Sequence, residues 1–309
     1  MNSRTMSYIV KRLLLALLTV FFVVTVTFWA MRAIPGGPFT QEKVVDPATE
    51  EELKRLYGLD KPLFTQYLLY LGNAFIWNFG FSLKSEGAVT VLSMIGEGLK
   101  YSAIIGLLAA ALAIVVGVTL GSIAALKHNR VVDRIIMIGS TASVAMPSFV
   151  IATLLFWIFC KLLNWFPTDY QNPAGFILPI ITVSLSPACY ITRLTRSATL
   201  DVLGADYIRT AQAKGVSKNK VLFKHALRNS LTPVITYAGP MIAYVITGSI
   251  IVERIFAIPG LGGTFVDCIT QRDYSVIMGT TVFLTYLMVI MVLLSDILYK
   301  IVNPRVEFE

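Results

Sequence analysis

Leu13 to Met31 is an unbroken apolar run, long enough to cross a bilayer as a helix. Five more apolar segments follow: Tyr101–Leu126, Ile135–Leu163, Phe176–Ile191, Leu231–Val252 and Val276–Tyr299. Lipid offers the backbone no hydrogen-bond partners, so segments of this kind must close their own bonds as helices. They predict an all-α membrane protein with six transmembrane helices. The composition agrees. The chain is 56% hydrophobic and 14% charged, whereas soluble domains carry about 25% charged residues. Arg4, Lys11 and Arg12 precede the first run, which exceeds a signal-peptide core and is followed by no A-x-A site, so it reads as a retained helix. The fourth segment carries Pro179 and Pro187. A kinked packing helix and a helix lining a water-filled path both fit it.

Basic residues orient the chain. With the N-terminus inside, the cytoplasmic pieces are 1–12, 127–134, 193–229 and 300–309. They hold 16 of the 26 lysines and arginines but five of the 18 acids. That is the expected positive-inside bias, with both termini cytoplasmic. It also accounts for the net charge of +8 without nucleic acid. The chain divides into an N-terminal transmembrane helix (1–32), an extracytoplasmic insertion (33–99) and a five-helix core (100–309). The insertion opens with IPGGPF. Asp46 begins one expected helix that Gly58 ends, and Leu63–Phe75 forms a second, aromatic-rich one. Together they read as a cap over the outer mouth.

Several chemistries lack their residues. No G-x-x-x-x-G-K-[ST] loop occurs, so the chain is expected to bind neither ATP nor Mg itself and to be no enzyme. The two histidines, His128 and His225, fall in cytoplasmic loops, and Cys160, Cys189 and Cys268 have no metal-site spacing. An intramembrane hydrolase would need a nucleophile–base or metal constellation in the spans, where no histidine stands.

The loop 193–229 is the exception to the greasy pattern. Thr199–Lys214 has helix-forming composition with Gly204 as its weak point. Ala205, Ile208, Ala211 and Gln212 share one side. Gly215 permits a sharp corner. Ser217 then suits the cap of a second helix over 218–229. A basic loop resting on anionic lipid explains the lysines. It does not explain an alanine-rich helix with a fixed corner, which suits presentation to a groove.

That segment resembles the cytoplasmic EAA loop of binding-protein-dependent ABC transporter permeases. Arg209-Thr210-Ala211 stands where the family begins Glu-Ala-Ala, and Gly215 stands at the family's glycine. RTAQAKG and KHALRNSLTPV are similar to the variant in the oligopeptide and dipeptide branch. So are RAIPGGPF, YGLDKP, SFV after Pro147, ERIFAIPGLGG, QRDYSVIMG and NPR. The likeness runs over nearly the whole chain and is nearest the OppB-type oligopeptide permeases. It implies a MetI-like importer fold in a bacterial cytoplasmic membrane and a heterodimeric pore with a second, homologous permease chain. It also implies two ABC ATPase subunits that bind ATP and Mg, an extracytoplasmic peptide-binding protein and an oligopeptide cargo. The same family with dipeptide or nickel cargo is the second reading.

The resemblance assigns ATPase coupling to Asp206, Tyr207, Ile208, Arg209, Thr210, Ala211, Ala213, Lys214 and Gly215. Met146, Pro147, Ser148, Ser184, Ser186 and Pro187 give the spans polarity without charge and are candidate pathway walls, with helix packing as the alternative. Pro259, Gly260, Leu261 and Gly262 are candidates for touching the binding protein. A simple glycine-rich turn back toward the membrane is their alternative.

Overall fold

The computed structural model describes residues 3–34, 55, 58, 60–85, 89–217 and 226–302. Of the expected helix from Asp46 to Gly58 only Arg55 and Gly58 are among them, and residues 218–225 of the second loop helix lie outside them. Along the chain, α1 is Ser3–Ala33, α2 is Leu63–Phe75 and α3 is Val91–Leu126. Next come α4 (Val131–Ala145) and α5 (Ser148–Leu155), the latter continued by a π-helical stretch, Phe156–Leu162. A 3-10 turn at Pro173–Phe176 leads into α6, Ile177–Leu203. The rest is α7 (Asp206–Ala213), α8 (Leu227–Ser230), α9 (Thr232–Ile246), α10 (Ile250–Ile255), α11 (Leu261–Thr270) and α12 (Tyr274–Val302).

Among the described residues, four helical stretches are long and apolar enough to cross a membrane: Val10–Ala33, Val91–Leu126, Pro173–Leu203 and Tyr274–Leu294. A fifth span exists only as a pair, α4 and α5 with its extension, bent by 102°. The expected span over Ile135–Leu163 is thus broken in the middle. Met146 precedes a proline, which forces it into extended backbone (φ −84, ψ 130), and Pro147 then starts the next helix. The fifth apolar segment is also shorter than its expected 231–252. Its helix α9 is 15 residues long and stops before Gly248, whose φ is +89.

The chain forms two compact units, Met1–Gly98 with Gly263–Val289, and Leu99–Gly262 with Ile290–Glu309. In the first, Thr25 Oγ1 and Tyr67 OH share a 2.9 Å hydrogen bond, and the Arg32 guanidinium donates to the Gln66 side-chain oxygen. Phe28, Trp29, Tyr67 and Tyr70 cluster at the same end of α1. Aromatic rings with a terminal arginine are what a span end at a lipid interface presents. Asp273, 1% exposed, caps α12 by accepting from the Val276 N–H. It also accepts from the Ser82 hydroxyl and the Leu83 N–H, fixing the segment before α3.

In the second unit, α3 carries Gly106, Ala110, Ala113, Gly117 and Gly121, spaced three or four apart and so on one face. A Cβ on Gly106 would meet the Val245 carbonyl at 2.5 Å. One on Gly117 would meet Ile191 at 2.6 Å, and one on Gly121 the Thr192 carbonyl at 2.5 Å. The small face therefore lets α3 lie backbone-to-backbone against α6 and the end of α9. Ala110, Ala113, Ala188, Ile191, Val234, Met241 and Val245 form the core between them. A second cluster, with Ile105, Leu178, Val252 and Phe256, closes the far end.

Candidate functional site

Three features of the second unit carry chemistry or mechanics. The first is the arm around α7. The sequence reading ran one helix from Thr199 to Lys214, but the chain breaks it. α6 ends at Leu203, Gly204 caps it, and α7 starts afresh at Asp206. Gly215 then takes φ +77, the left-handed corner expected of it. Ile208, expected among the coupling residues, is instead 0% exposed. It packs with Ala226 against Val202, Leu203 and Val216. Its role is to seat the arm on its own chain. The Asn229 amide also donates to Tyr207 OH at 2.9 Å.

The outward surface is made by Asp206, Tyr207, Arg209, Thr210, Ala213, Lys214 and Gly215. Ala211 lies in α7 between them. Arg209 and Asp206 approach at 3.8 Å with both side chains solvated, so the pair adds little stability and leaves both charges available to a partner.

The second feature is a cavity of about 510 Å³. Val144, Met146, Ser148 and Ile151 line it from the bend. Thr182, Val183, Ser186 and Pro187 line it from α6, and Tyr237, Pro240, Met241, Tyr244 and Val245 from α9. Gly248, Ser249 and Val252 complete it. No charged side chain is among these lining residues. Four of the six residues singled out from sequence, Met146, Ser148, Ser186 and Pro187, are therefore brought together. Ser184 is not, because two residues beyond Thr182 is about 200° around a helix. It is buried and donates to the Ile181 carbonyl. Pro147 makes the bend instead of the wall.

Sequence reasoning missed Tyr237 and Tyr244. Their separation of seven residues places both on one face of α9, which was the available signal. Pro187 withholds the N–H that the Val183 carbonyl would accept in a regular helix. Val183 and Pro187 both border the cavity.

The third feature is the turn Ile258–Gly262. Gly260, Leu261 and Gly262 are buried, and of the four contact candidates Pro259 alone remains at the surface. They surround Glu253, which is 2% exposed. A Cβ on Gly260 would stand 2.5 Å from both carboxylate oxygens, and one on Gly262 3.0 Å from Oε2. The Ser102 hydroxyl donates to Glu253 Oε1 at 2.7 Å and accepts from the Leu261 N–H at 2.8 Å. The glycines make room for a carboxylate, and one serine ties it to both α3 and the turn.

Residues 117–308 match the family described as binding-protein-dependent transport system inner membrane component, and residues 5–90 match the N-terminal component of the same kind. The dipeptide transport system permease protein DppB of Bacillus subtilis (strain 168) is 42% identical over 97% of both chains. DppB of Lactococcus lactis subsp. cremoris (strain MG1363) is 43% identical over 97% of this chain and 99% of its own. The oligopeptide transport system permease protein OppB of Haemophilus influenzae is 39% identical over 98% and 100%. Among solved structures, a chain from the inward-facing MetNI methionine ABC transporter aligns with a TM-score of 0.53 at 13% identity. That alignment covers 69% of this chain and 97% of that chain, and it speaks to the fold alone.

Proposed function

The chain belongs to the family of binding-protein-dependent transport system inner membrane components, and from that premise we propose that it forms half the pore of an ATP-driven peptide importer. It is a multi-pass protein of the bacterial inner membrane. The observation that carries the proposal is full-length identity of 39–43% to permeases named for dipeptide and oligopeptide transport. In this reading a second, homologous permease supplies the other half. Two ATPase subunits bind ATP and Mg beneath, and an extracytoplasmic binding protein delivers peptide. Both termini are cytoplasmic.

The arm would seat α7 in a groove of one ATPase, with Asp206, Tyr207, Arg209, Thr210, Ala213 and Lys214 as its contact surface. A ligand shifts a two-state protein only by its differential contact energy, so ATP-driven closure must alter these contacts to move the spans. The cavity suits a cargo of varied side chains. Serine and threonine hydroxyls, tyrosines and the Val183 carbonyl can bind peptide groups, while no fixed charge selects against an acidic or basic residue. Pro259 is what remains of the turn for touching the binding protein.

Cargo length is the finer question. Identity is higher to the dipeptide permeases than to the oligopeptide permease. That favours dipeptides as a second reading beside oligopeptides. The test is uptake of labelled di- and pentapeptides by cells whose only peptide importer contains this chain. Uptake of either supports the proposal, and the preferred length chooses between its two forms. Uptake of neither, with the complex present in the membrane, overturns it. Gly215→Val tests the arm: normal membrane levels and ATP hydrolysis with lost uptake are expected.

A further inference from the structure

We infer that Asp133, Arg196 and His128 form a clamp that positions the base of the coupling arm, so that movement of α7 turns α4 and α6 as one body. This rests on the reading of α7 as the ATPase contact. Arg196 reaches Asp133 with two prongs, Nε to Oδ1 at 2.6 Å and Nη2 to Oδ2 at 2.8 Å. The Asn129 N–H adds a bond to Oδ2 at 2.9 Å. Asn129 can do so because its φ is +61, a conformation asparagine tolerates better than most residues. His128 Nδ1 lies 3.2 Å from Arg196 Nη2 and 3.5 Å from Asp133 Oδ2. The Asp133 side chain is 3% exposed, that of Arg196 21%.

The position decides what this cluster is for. Arg196 stands two turns before Leu203, where α6 ends and the arm departs. One residue pair therefore joins the start of α4 to α6 at the root of the arm. At the same level the Gly121 face of α3 touches α6, where an added Cβ would sit 3.1 Å from the Arg196 nitrogen. Three helices are thus fastened together about two turns from the point where force would arrive.

A buried ion pair is a poor way to gain stability, since apolar residues of the same volume often do as well. What a two-pronged arginine–carboxylate pair adds is a fixed orientation. A lever needs that. If α6 could roll against α4, displacement of α7 would be lost in the roll. Neither Asp133 nor Arg196 touches cargo in this scheme; both are positioning residues.

The experiment uses the complete importer, with its ATPases, partner permease and binding protein, in proteoliposomes. Peptide uptake and ATP hydrolysis are measured together. Asp133→Asn should lower peptide moved per ATP by about tenfold, a typical size for one coupling link, while ATP hydrolysis persists. Arg196→Lys keeps the charge and loses the fork, and should lower the ratio in the same direction. The exchanged pair, Asp133→Arg with Arg196→Asp, should recover part of it.

An unchanged ratio in Asp133→Asn, or uptake and hydrolysis falling in parallel, overturns the clamp. If Asp133→Asn does not assemble, Arg196→Lys decides by the same criterion. Gly215→Val run alongside separates the two ideas. If it transports normally, the arm reading fails. If it uncouples while Asp133→Asn and Arg196→Lys do not, the clamp alone fails.

Discussion

Two glycine turns of the second unit look alike on paper and are built for opposite purposes. Gly215, at the arm's corner, is chosen for its backbone: φ is +77, and a Cβ there would meet none of the described residues within 4 Å. Gly260 and Gly262 are chosen for space, because side chains there would strike the Glu253 carboxylate. One turn is an exposed corner that no described residue fills. The other is a packed cradle that nothing else can enter. Glycine thus marks either a conformation or a close approach, and the surroundings decide which. The distinction has functional weight. The open corner is available to a partner, whereas the filled turn locks the permease's own frame.

The strongest way to break that contrast is Gly260→Ala. The new methyl would force the carboxylate aside, and the carboxylate cannot move without giving up Ser102. Losing that hydrogen bond costs about 1–3 kcal/mol, and forcing a methyl into the filled space adds about 1–3 kcal/mol more. Little folded protein is expected in the membrane, and a sharply lower thermal midpoint in detergent. Near-wild-type stability would show that the cradle is slack. Ser102→Ala should have an intermediate effect. It removes the donor to Glu253 and the acceptor for the Leu261 N–H, about 1–3 kcal/mol. Since Ser102 stands 151 positions from Glu253, the Ser102→Ala/Glu253→Gln double-mutant cycle should show clear non-additivity in thermal midpoints.

These distances in sequence also explain which parts of the permease could be read from residues alone. α1, α2 and α12 follow from local apolar pattern, and α2 occupies the expected Leu63–Phe75. The apolar count likewise reveals the membrane class, because lipid imposes it on every span at once. The bend at Met146–Pro147 carried a local signal, a proline restricting its predecessor, which the length of the apolar run masked. Gly204 was read as a weak point within a helix, and its capping of α6 depends on Ile208 being drawn under Val202 and Leu203. Glu253 and Asp133 gave no sign of burial. Ser102 on α3 and Arg196 on α6, which bind them, stand 151 and 63 positions away, and only the tertiary fold brings them together. Ser186 and Pro187, expected as wall residues for their polarity without charge, do border the cavity, and α6 presents them there with Thr182 and Val183.

Gly215→Ala is the smallest perturbation of the set and the most informative about the contrast. No described neighbour obstructs the methyl, so the cost expected is that of holding an alanine at positive φ, about 1–2 kcal/mol. The chain can also relax the corner at less cost by letting φ return to negative values. Stability should then fall little, but the corner would open and α7 would point elsewhere. The expected pattern is a thermal midpoint within a few degrees of wild type, a normal amount of assembled importer, and markedly reduced peptide uptake per ATP hydrolysed. The inverse pattern, a large loss of stability with transport per assembled complex unchanged, would place Gly215 in the same class as Gly260 and remove the difference between the two turns. A D-alanine at this position, introduced by semisynthesis, is tolerant of positive φ and should restore uptake that L-alanine loses. Failure of that rescue would mean the absence of a side chain, and not the left-handed corner, is what the arm requires.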